Sequence, residues 1–237
     1  MLIQMLVYSI IVVLKKILYK QEWHLLSLIV LVVSLYFIVN YDDTIISGEF
    51  WGVSTLWWLV VSIIFPIMHQ IYVLLAWRYE LYYKSLSNIL GKNAFTIYKA
   101  IFFVFLIGRV FILTFLAISN SDTLNIDPFI VYSLSAVLFV IVAFSMYSVM
   151  MFFGTDRAAG LDHFDDSISK LPYVKKGIYK YTNNGMYLYA FFIIYLPALL
   201  LFSKAALLIA VYSHIYIWVH YFFTELPDMK VIYKAEQ

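Results

Sequence analysis

The chain has 237 residues, of which 64% are hydrophobic and 13% are charged, and its mean hydropathy is +0.88. Soluble domains are about 45–50% apolar and about 25% charged, so this composition indicates an integral membrane protein. The net charge of +2 is too small to favour nucleic acid binding. Because the chain has no cysteine, disulfides, thiol nucleophiles and cysteine metal sites are excluded.

Apolar residues come in long runs rather than in short alternations, which favours helices over a barrel. We predict an all-α, polytopic helical bundle with a C-terminal helical hairpin that forms a cytosol-facing site. A short first run, Leu2–Leu14, is either a tilted span or an interfacial helix. The runs long enough, or nearly so, to cross the bilayer are His24–Val39, Val53–Leu75, Phe95–Ile118, Pro128–Phe153, Met186–Phe202 and Ala205–Phe223.

Loop charges alternate in sign along the chain, and of the 16 Lys and Arg residues only Arg109 and Lys204 fall outside one set of loops. The positive-inside rule then places the loop Gly154–Asn183 and the C-terminal tail, with Lys230 and Lys234, in the cytoplasm. We expect a bacterial inner membrane or the endoplasmic reticulum. We divide the chain into N-terminal transmembrane helices, residues 1–153, and a C-terminal region, residues 154–237, within one integrated domain.

Three features inside the apolar runs affect helix packing. Arg109 lies within the third long run, where a buried charge is expensive, so we expect it to snorkel or to pair. Gly108 beside it indicates close helix packing. Pro66 and Pro197 are expected to kink their helices.

The loop after the fourth run is unusually polar, with Arg157, His163 and four Asp residues between positions 154 and 166. It is either a head-group site or lid, or a solvated cytoplasmic loop. Histidine and aspartate are metal-ligand types, but a second histidine or any cysteine is missing from this cluster, and we expect no metal.

The segment from Asn183 to Tyr187 opens the predicted helix that begins the hairpin. Asparagine is ordinary at a helix N-terminus, but two in series, preceded by Tyr179 and Tyr181, offer more polar groups than a cap uses. A helix N-terminus also presents free N–H groups to an anion.

The last helix carries His214, Trp218, Tyr221 and Glu225 on one stripe, while His220 lies on another face. We interpret His214 as a helix–helix hydrogen-bonding residue. Glu225 lies at the membrane edge. Since both ends of a hairpin return to the same face, we expect the segment that ends at Tyr187 to meet Glu225.

These residues resemble a known family. The sequence Gly177-Ile178-Tyr179-Lys180-Tyr181-Thr182-Asn183-Asn184-Gly185-Met186-Tyr187, followed by an apolar hairpin and an edge with Glu225, is similar to the membrane methyltransferase superfamily. That superfamily includes isoprenylcysteine carboxyl methyltransferases and phospholipid N-methyltransferases. The phosphatidylethanolamine N-methyltransferases match better, because Asn184, Met186 and Tyr187 follow their Asp-Asn-Pro-Met-Tyr pattern. The resemblance covers roughly residues 154–233 and includes the segment from Arg157 to Asp165.

The chain departs from the family pattern at three places. Gly185 replaces the usual proline, Tyr189 stands where many members have glycine, and Leu226 replaces the second glutamate of a pair. The first two affect the turn that shapes the cofactor pocket, and the third removes a carboxylate often assigned to cofactor binding.

The resemblance implies an S-adenosylmethionine-dependent methyltransferase that methylates the amine of phosphatidylethanolamine or a partly methylated derivative, with the lipid drawn from the bilayer. The expected proton acceptors are Glu225, His163 and His220. Arg157, Asp162 and Lys180 are expected to hold the lipid head group. The expected cofactor-binding residues are Tyr181, Asn183, Asn184, Tyr187, Trp218 and Glu225, where the aromatic faces attract the sulfonium.

Two alternatives remain open at this point. A related membrane methyltransferase would act on a carboxylate or a small thiol, and would not need a group that deprotonates an amine. A non-enzymatic membrane carrier would show no cofactor affinity.

Overall fold

The computed structural model describes the chain from residue 2 to residue 233. Lys234, which was counted with the cytoplasmic charges, and the last residues of the predicted C-terminal region lie outside the described residues. The helices are α1 (Leu2–Ile17), α2 (Gln21–Tyr41), α3 (Thr55–Tyr83), α4 (Ser85–Leu90), α5 (Ala94–Ser119), α6 (Pro128–Ser148), α7 (Thr155–Ala158), α8 (Gly185–Leu188), α9 (Tyr195–Leu200), α10 (Lys204–His220) and α11 (Leu226–Ile232).

Shorter elements connect and extend these helices. Two-residue strands β1 (Glu49–Phe50) and β2 (Val53–Ser54) form an antiparallel hairpin with Glu49 opposite Ser54. The π-helical turns Val149–Phe153 and Tyr221–Glu225 extend α6 and α10. The 3-10 turns are Asp43–Ile46, Gly91–Asn93, Leu161–His163, Ile168–Lys170, Gly177–Lys180 and Ala190–Ile194.

The all-α membrane fold predicted from composition is confirmed. Five helical stretches within residues 2–233 are long and apolar enough to cross a membrane, and each overlaps one of the predicted runs. They are Gln21–Tyr41, Thr55–Tyr83, Ser85–Ser119, Pro128–Phe153 and Lys204–Ile232.

The predicted run Met186–Phe202 is wrong as a single spanning helix. Its helical part, Gly185–Leu200, is shorter than the five others and is divided into α8, a 3-10 turn and α9. At a rise of about 1.5 Å per residue it is shorter than the hydrocarbon core. Tyr189 leaves the helical region with φ −126°, and Pro197 has no N–H to continue the hydrogen-bond ladder.

Helix α10 is the centre of the bundle. Its buried face packs with residues of α2, α3, α5 and α9 in one apolar cluster. Ala205, Ala206 and Ala210 are completely buried there. These small side chains let neighbouring helices approach closely, as in other membrane helix bundles.

At the end of the bundle that carries the acidic loops, the Asn120 side chain connects several elements by hydrogen bonds. Its Nδ2 donates to the carbonyls of Thr44 and Ser47 at 2.8 and 3.0 Å. Its Oδ1 accepts from Ala205 N at 2.9 Å and from the Ser203 hydroxyl at 3.2 Å. One side chain thus holds the α2–α3 connection, the end of α5 and the tip of the hairpin together.

Lys204 at the hairpin tip also reaches the acidic loops. Its Nζ lies 2.8 Å from Asp42 Oδ2 and 2.9 Å from Thr44 Oγ1. Hydrogen bonds from Lys204 and Thr44 lower the pKa of Asp42 to about 2.

The basic loops gather at the other end of the bundle. Lys16 lies over the ring of Tyr82 at 5.4 Å, and Lys99 pairs with Asp156 at 2.7 Å. The alternation of the loops between two ends, predicted from charge, is therefore present in the structure. The side of the membrane that each end faces stays a prediction.

We expect Asn120→Ala to lower the free energy of unfolding by about 2–4 kcal/mol, because it leaves buried carbonyl, hydroxyl and N–H groups without partners. Unfolding of the purified protein measured by heat or denaturant checks this. The matched control is Asn40→Ala, since Asn40 is exposed and donates only to the Tyr36 carbonyl within its own helix. Equal stability of the two variants would contradict the role given to Asn120.

Candidate active site

The hairpin brings Tyr187 of α8 to Glu225 at the end of the π-helical turn. The Tyr187 hydroxyl donates a hydrogen bond to Glu225 Oε2. The Tyr187 ring is edge-on to Trp218 at 6.0 Å and to Tyr221 at 5.8 Å between centroids. The sequence-based expectation that this segment meets Glu225 is thus met, and three aromatic rings surround the contact.

His214 fixes the backbone beside this contact. Its Nε2 lies 2.9 Å from the Tyr187 carbonyl, and its Nδ1 lies 3.2 Å from the Tyr195 hydroxyl. Both contacts are satisfied if Nε2 carries the proton and Nδ1 accepts from Tyr195. His214 therefore joins the two arms of the hairpin, as its sequence position indicated.

Asp228, about one helical turn after Glu225, forms a buried ion pair with Arg78. Arg78 and Asp228 are both completely buried, and Arg78 Nε is 3.1 Å from Asp228 Oδ1 and 3.3 Å from Oδ2. Arg78 Nη1 donates to the carbonyls of Ile17 and Tyr19 at 2.7 and 2.9 Å. The pair thereby connects the α1–α2 junction, α3 and α11.

Pro227 explains why the same guanidinium also reaches the π-helical turn. In an α-helix the Phe223 carbonyl would accept from residue 227, but proline has no N–H. Arg78 Nη2 and Gln21 Nε2 donate to this carbonyl instead, at 3.2 and 2.9 Å. The backbone that carries Glu225 is therefore held by side chains from the first third of the sequence.

His163 lies between two carboxylates. Its Nδ1 is 3.1 Å from Asp162 Oδ1, and its Nε2 faces Asp228 Oδ2 at 3.7 Å, an ionic rather than a hydrogen-bonding distance. Its ring stacks on Trp77 at 4.1 Å. Burial alone would lower the pKa of His163, but the Asp162 hydrogen bond and the Asp228 carboxylate outweigh burial and raise it.

Gly160 allows the loop to lie over Trp77. Its φ of +88° is in the left-handed region, and a Cβ there would lie 2.5 Å from the Trp77 ring. Any other residue at this position would push away the loop that carries Asp162 and His163.

Asp162 extends the network toward the surface. Its Oδ2 accepts from the Tyr233 hydroxyl at 3.1 Å, and Arg157 Nη2 is 3.5 Å from the same hydroxyl. The Arg157 guanidinium lies over the Phe153 ring at 5.1 Å, and its Nε has no hydrogen-bond partner within residues 2–233. Burial raises the pKa of Tyr233, which therefore stays a hydrogen-bond donor.

The remaining residues singled out in the sequence are dispersed. Lys180, Tyr181 and Asn183 are exposed, and Lys180 Nζ lies over the Tyr181 ring at 6.0 Å. Asn184 precedes α8, but its side chain makes no capping hydrogen bond and its N–H bonds to Thr182 Oγ1 at 3.1 Å. With only four residues, α8 does not provide the helix N-terminus that was expected to bind an anion.

His220 lies near Trp77 and His24 and not beside Tyr187. It is 3% exposed, and its ring is 5.8 Å from Trp77 and 6.3 Å from His24. Its Nδ1 has no partner in the described part of the chain.

Arg78, Asp228 and Trp77 were not predicted from the sequence as site residues. Arg78 was counted as a loop charge, although the apolar run before it continues as helix α3 to Tyr83. An ionisable residue inside a span usually has a buried partner, and that signal would have marked it. Nothing in one sequence points to Asp228, which is 150 residues away.

Comparison with known protein families finds a match in the C-terminal part of the chain. The model of the phospholipid methyltransferase family matches residues 130–236. This C-terminal part of the chain is similar to the phospholipid methyltransferase family. Comparison with curated proteins and with solved structures gives no match.

The matched range begins inside α6 and includes the polar loop and the whole hairpin, so Tyr187 and Glu225 lie inside it. The resemblance inferred from the sequence is confirmed, and a lipid substrate in the membrane fits this family. The helices before residue 130, which supply Arg78 and Trp77, lie outside the match.

We expect the stability of the protein to fall as pH rises above about 6.5, the ordinary pKa of histidine. The pKa of His163 is raised in the folded state. Its protonated form therefore adds stability that is fully present below pH 6.5 and is lost as pH rises through the folded-state pKa. Thermal unfolding over about pH 6–9 checks this.

His163→Gln should flatten that pH dependence, because glutamine keeps a hydrogen-bond donor for Asp162 and does not titrate. The carboxylates of Asp162 and Asp228 contact His163, Arg78 lies behind Asp228, and Glu225 and His220 are also within electrostatic range. If His163→Gln retains the slope of the native protein, the titrating group is not His163.

Proposed function

We propose that the protein is an S-adenosylmethionine-dependent methyltransferase of the membrane that methylates the amine of phosphatidylethanolamine or a partly methylated derivative. The observation that carries this proposal is the contact of Tyr187 with Glu225 inside a cluster of aromatic rings. It lies within the region matched by the phospholipid methyltransferase family.

The residues around Glu225 fit a cationic methyl donor. The rings of Tyr187, Trp218 and Tyr221 offer electron-rich faces, and Glu225 offers a negative charge. S-adenosylmethionine, when bound, would supply a methyl group from its positively charged sulfur and leave as a neutral thioether. The aromatic rings would also exclude water from the sulfur, which limits hydrolysis.

Methyl transfer to an amine requires that nitrogen first lose a proton. The nitrogen then forms a bond to the methyl carbon while the carbon–sulfur bond breaks. We propose that Glu225 accepts this proton. Tyr187 donates to Oε2, and no hydrogen bond among residues 2–233 reaches Oε1, so Oε1 is the oxygen that would take it. His163 and His220 are the other candidates, but both are buried, and the His163 ring is also stacked on Trp77.

The lipid head group would lie on the side of the polar loop. We propose Arg157 as the main phosphate ligand, because its Nε is unpartnered within the described chain and the guanidinium is already oriented by Phe153. Lys180, which is exposed, would add positive charge. Asp162 would act through Tyr233, the residue that Arg157 contacts.

The cytoplasmic placement of this site follows from loop charge and is part of the proposal. The lipid would enter sideways from the bilayer with its acyl chains left among the helices. The soluble methyl donor would come from the cytosol, and residues 154–237 would form the part of the single domain that binds it.

Membranes that contain the protein should transfer label from S-adenosylmethionine to phosphatidylethanolamine or to its partly methylated forms. Mass spectrometry of extracted lipids and of other products measures this. Label in a carboxyl ester or a small thioether would instead support the alternative acceptors. No labelled product, together with no binding of S-adenosylhomocysteine in titration calorimetry, would support a non-enzymatic carrier.

Glu225→Gln should lower the turnover number by about 100-fold or more, a typical scale for a lost acid–base group. Glutamine keeps the size and can still accept from Tyr187, so folding should be retained. Tyr187→Phe removes the hydrogen bond but keeps the carboxylate, and should cost less. The control is Glu49→Gln, an exposed glutamate at the other end of the bundle.

Titration of Glu225→Gln with S-adenosylhomocysteine separates the two roles of the carboxylate. Retained binding with lost turnover supports the proton acceptor, and lost binding supports a cofactor ligand. Near-normal turnover would reject both and leave a purely structural role.

A further inference from the structure

A short β-hairpin at the end of the bundle that carries the acidic loops exposes Trp51. Residues 49–54 form this hairpin, in which β1 and β2 pair with Phe50 opposite Val53. Trp51 and Gly52 occupy the turn between the strands, and the Trp51 residue is 75% exposed. These residues, which we call the Trp51 hairpin, lie outside the candidate active site and outside the family match.

Tryptophan is an unusual residue for this turn. Both turn residues have a positive φ, +57° at Trp51 and +72° at Gly52. A two-residue turn of this kind ordinarily contains Asn-Gly or Asp-Gly, because a Cβ crowds the backbone in the left-handed region. Glycine adopts this region freely, but for a bulky side chain it costs free energy. Such a cost indicates that the Trp51 ring makes an interaction that the turn itself does not provide.

The backbone of the Trp51 hairpin is fixed to α3 and α5. Trp58 Nε1 on α3 donates to the Phe50 carbonyl at 3.3 Å. The preceding residue, Gly48, lies against the end of α5, where a Cβ would overlap the Ser119 carbonyl oxygen. The Trp51 ring stacks on the Phe50 ring at 4.5 Å between centroids. The ring is therefore presented from a well-supported backbone.

The Trp51 ring lies beside the outward-facing surface of α5. Its centroid is 5.4 Å from that of Phe115. Phe115 continues a stripe of apolar residues at helical spacing along α5. The stripe consists of Val104, Ile107 and Phe111, each more than half exposed. In a bundle of spanning helices such a stripe faces the acyl chains, so Trp51 lies where the lipid-facing surface of α5 ends.

The chemistry of the segment selects the boundary layer of the bilayer as the surroundings of Trp51. An indole has a large apolar body and one N–H donor, which favours the zone between head groups and acyl chains. Residues 41–54 contain three acidic residues and no Lys or Arg. Attraction to anionic lipids is therefore not available to hold this segment at the membrane, and the aromatic ring is the group that can do so.

We propose that the Trp51 hairpin is a membrane anchor whose indole ring inserts among the lipid head groups at the end of the bundle that carries the acidic loops. Insertion removes the exposed ring from water and offsets the cost of the left-handed backbone. The helix that follows, α3, has 29 residues and is about 43 Å long, which exceeds the hydrocarbon thickness of about 30 Å. An anchor immediately before α3 fixes where this long helix enters the bilayer. The proposal is independent of the methyl-transfer reaction.

Fluorescence of the purified protein in nanodiscs that hold one copy each tests the insertion. The difference between the native protein and Trp51→Phe isolates the emission of Trp51. We expect lipids brominated near the head-group end of the acyl chain to quench this emission, and acrylamide in the water to quench it only weakly. Strong quenching by acrylamide without quenching by the lipids would overturn the proposal. Shielding that requires several copies in each disc would show that a second copy covers Trp51, and would overturn it as well.

Spin labels measure the depth of the turn independently, because the native chain has no cysteine and a single one can be labelled. Trp51→Cys is compared with two controls. Asp43→Cys reports the water, since Asp43 is exposed in the acidic loop, and Phe111→Cys reports the acyl chains. The ratio of oxygen to nickel-complex collision rates at residue 51 should lie between those of the controls. A ratio at residue 51 equal to that of either control would contradict insertion among the head groups.

Discussion

The buried pair of Arg78 and Asp228 is the constraint on which the candidate active site depends. Burial of both charges costs free energy, and only a geometry that satisfies them repays it. Arg78 meets this requirement with the Asp228 carboxylate and three backbone carbonyls. Removal of one partner from such a pair typically costs about 3–5 kcal/mol, so these elements are held as one unit.

The elements that this ion pair joins lie on both sides of residue 130, where the family match begins. The matched residues 130–236 contain Tyr187 and Glu225, but the π-helical turn that presents Glu225 is held by Arg78 and Gln21. Trp77, next to Arg78, also supports His163. The N-terminal helices therefore belong physically to the site, although the family pattern does not extend to them.

Hydropathy and chain connectivity were sufficient to predict much of this arrangement. Long apolar runs predicted the five helical stretches that are long and apolar enough to cross a membrane. Such runs are informative because in lipid the backbone must satisfy its hydrogen bonds within each helix. The meeting of Tyr187 and Glu225 followed from the geometry of a hairpin. The break at Tyr189 was not predicted, because the residues after it are as apolar as those of a continuous helix. The pairing of Arg78 with Asp228 depends on tertiary packing, which one sequence does not display.

The two arms of the hairpin are joined both at the tip and near the far end. At its tip, Ser203, Lys204 and Ala205 are bound to Asn120, Asp42 and Thr123 by hydrogen bonds and an ion pair. One arm is the regular helix α10, and the other is interrupted between α8 and α9. His214 contacts the interrupted arm on both sides of the break, at the Tyr187 carbonyl and at the Tyr195 hydroxyl. This one ring therefore acts as a splint, because it connects α8 and α9 to the regular helix where their own backbone is discontinuous.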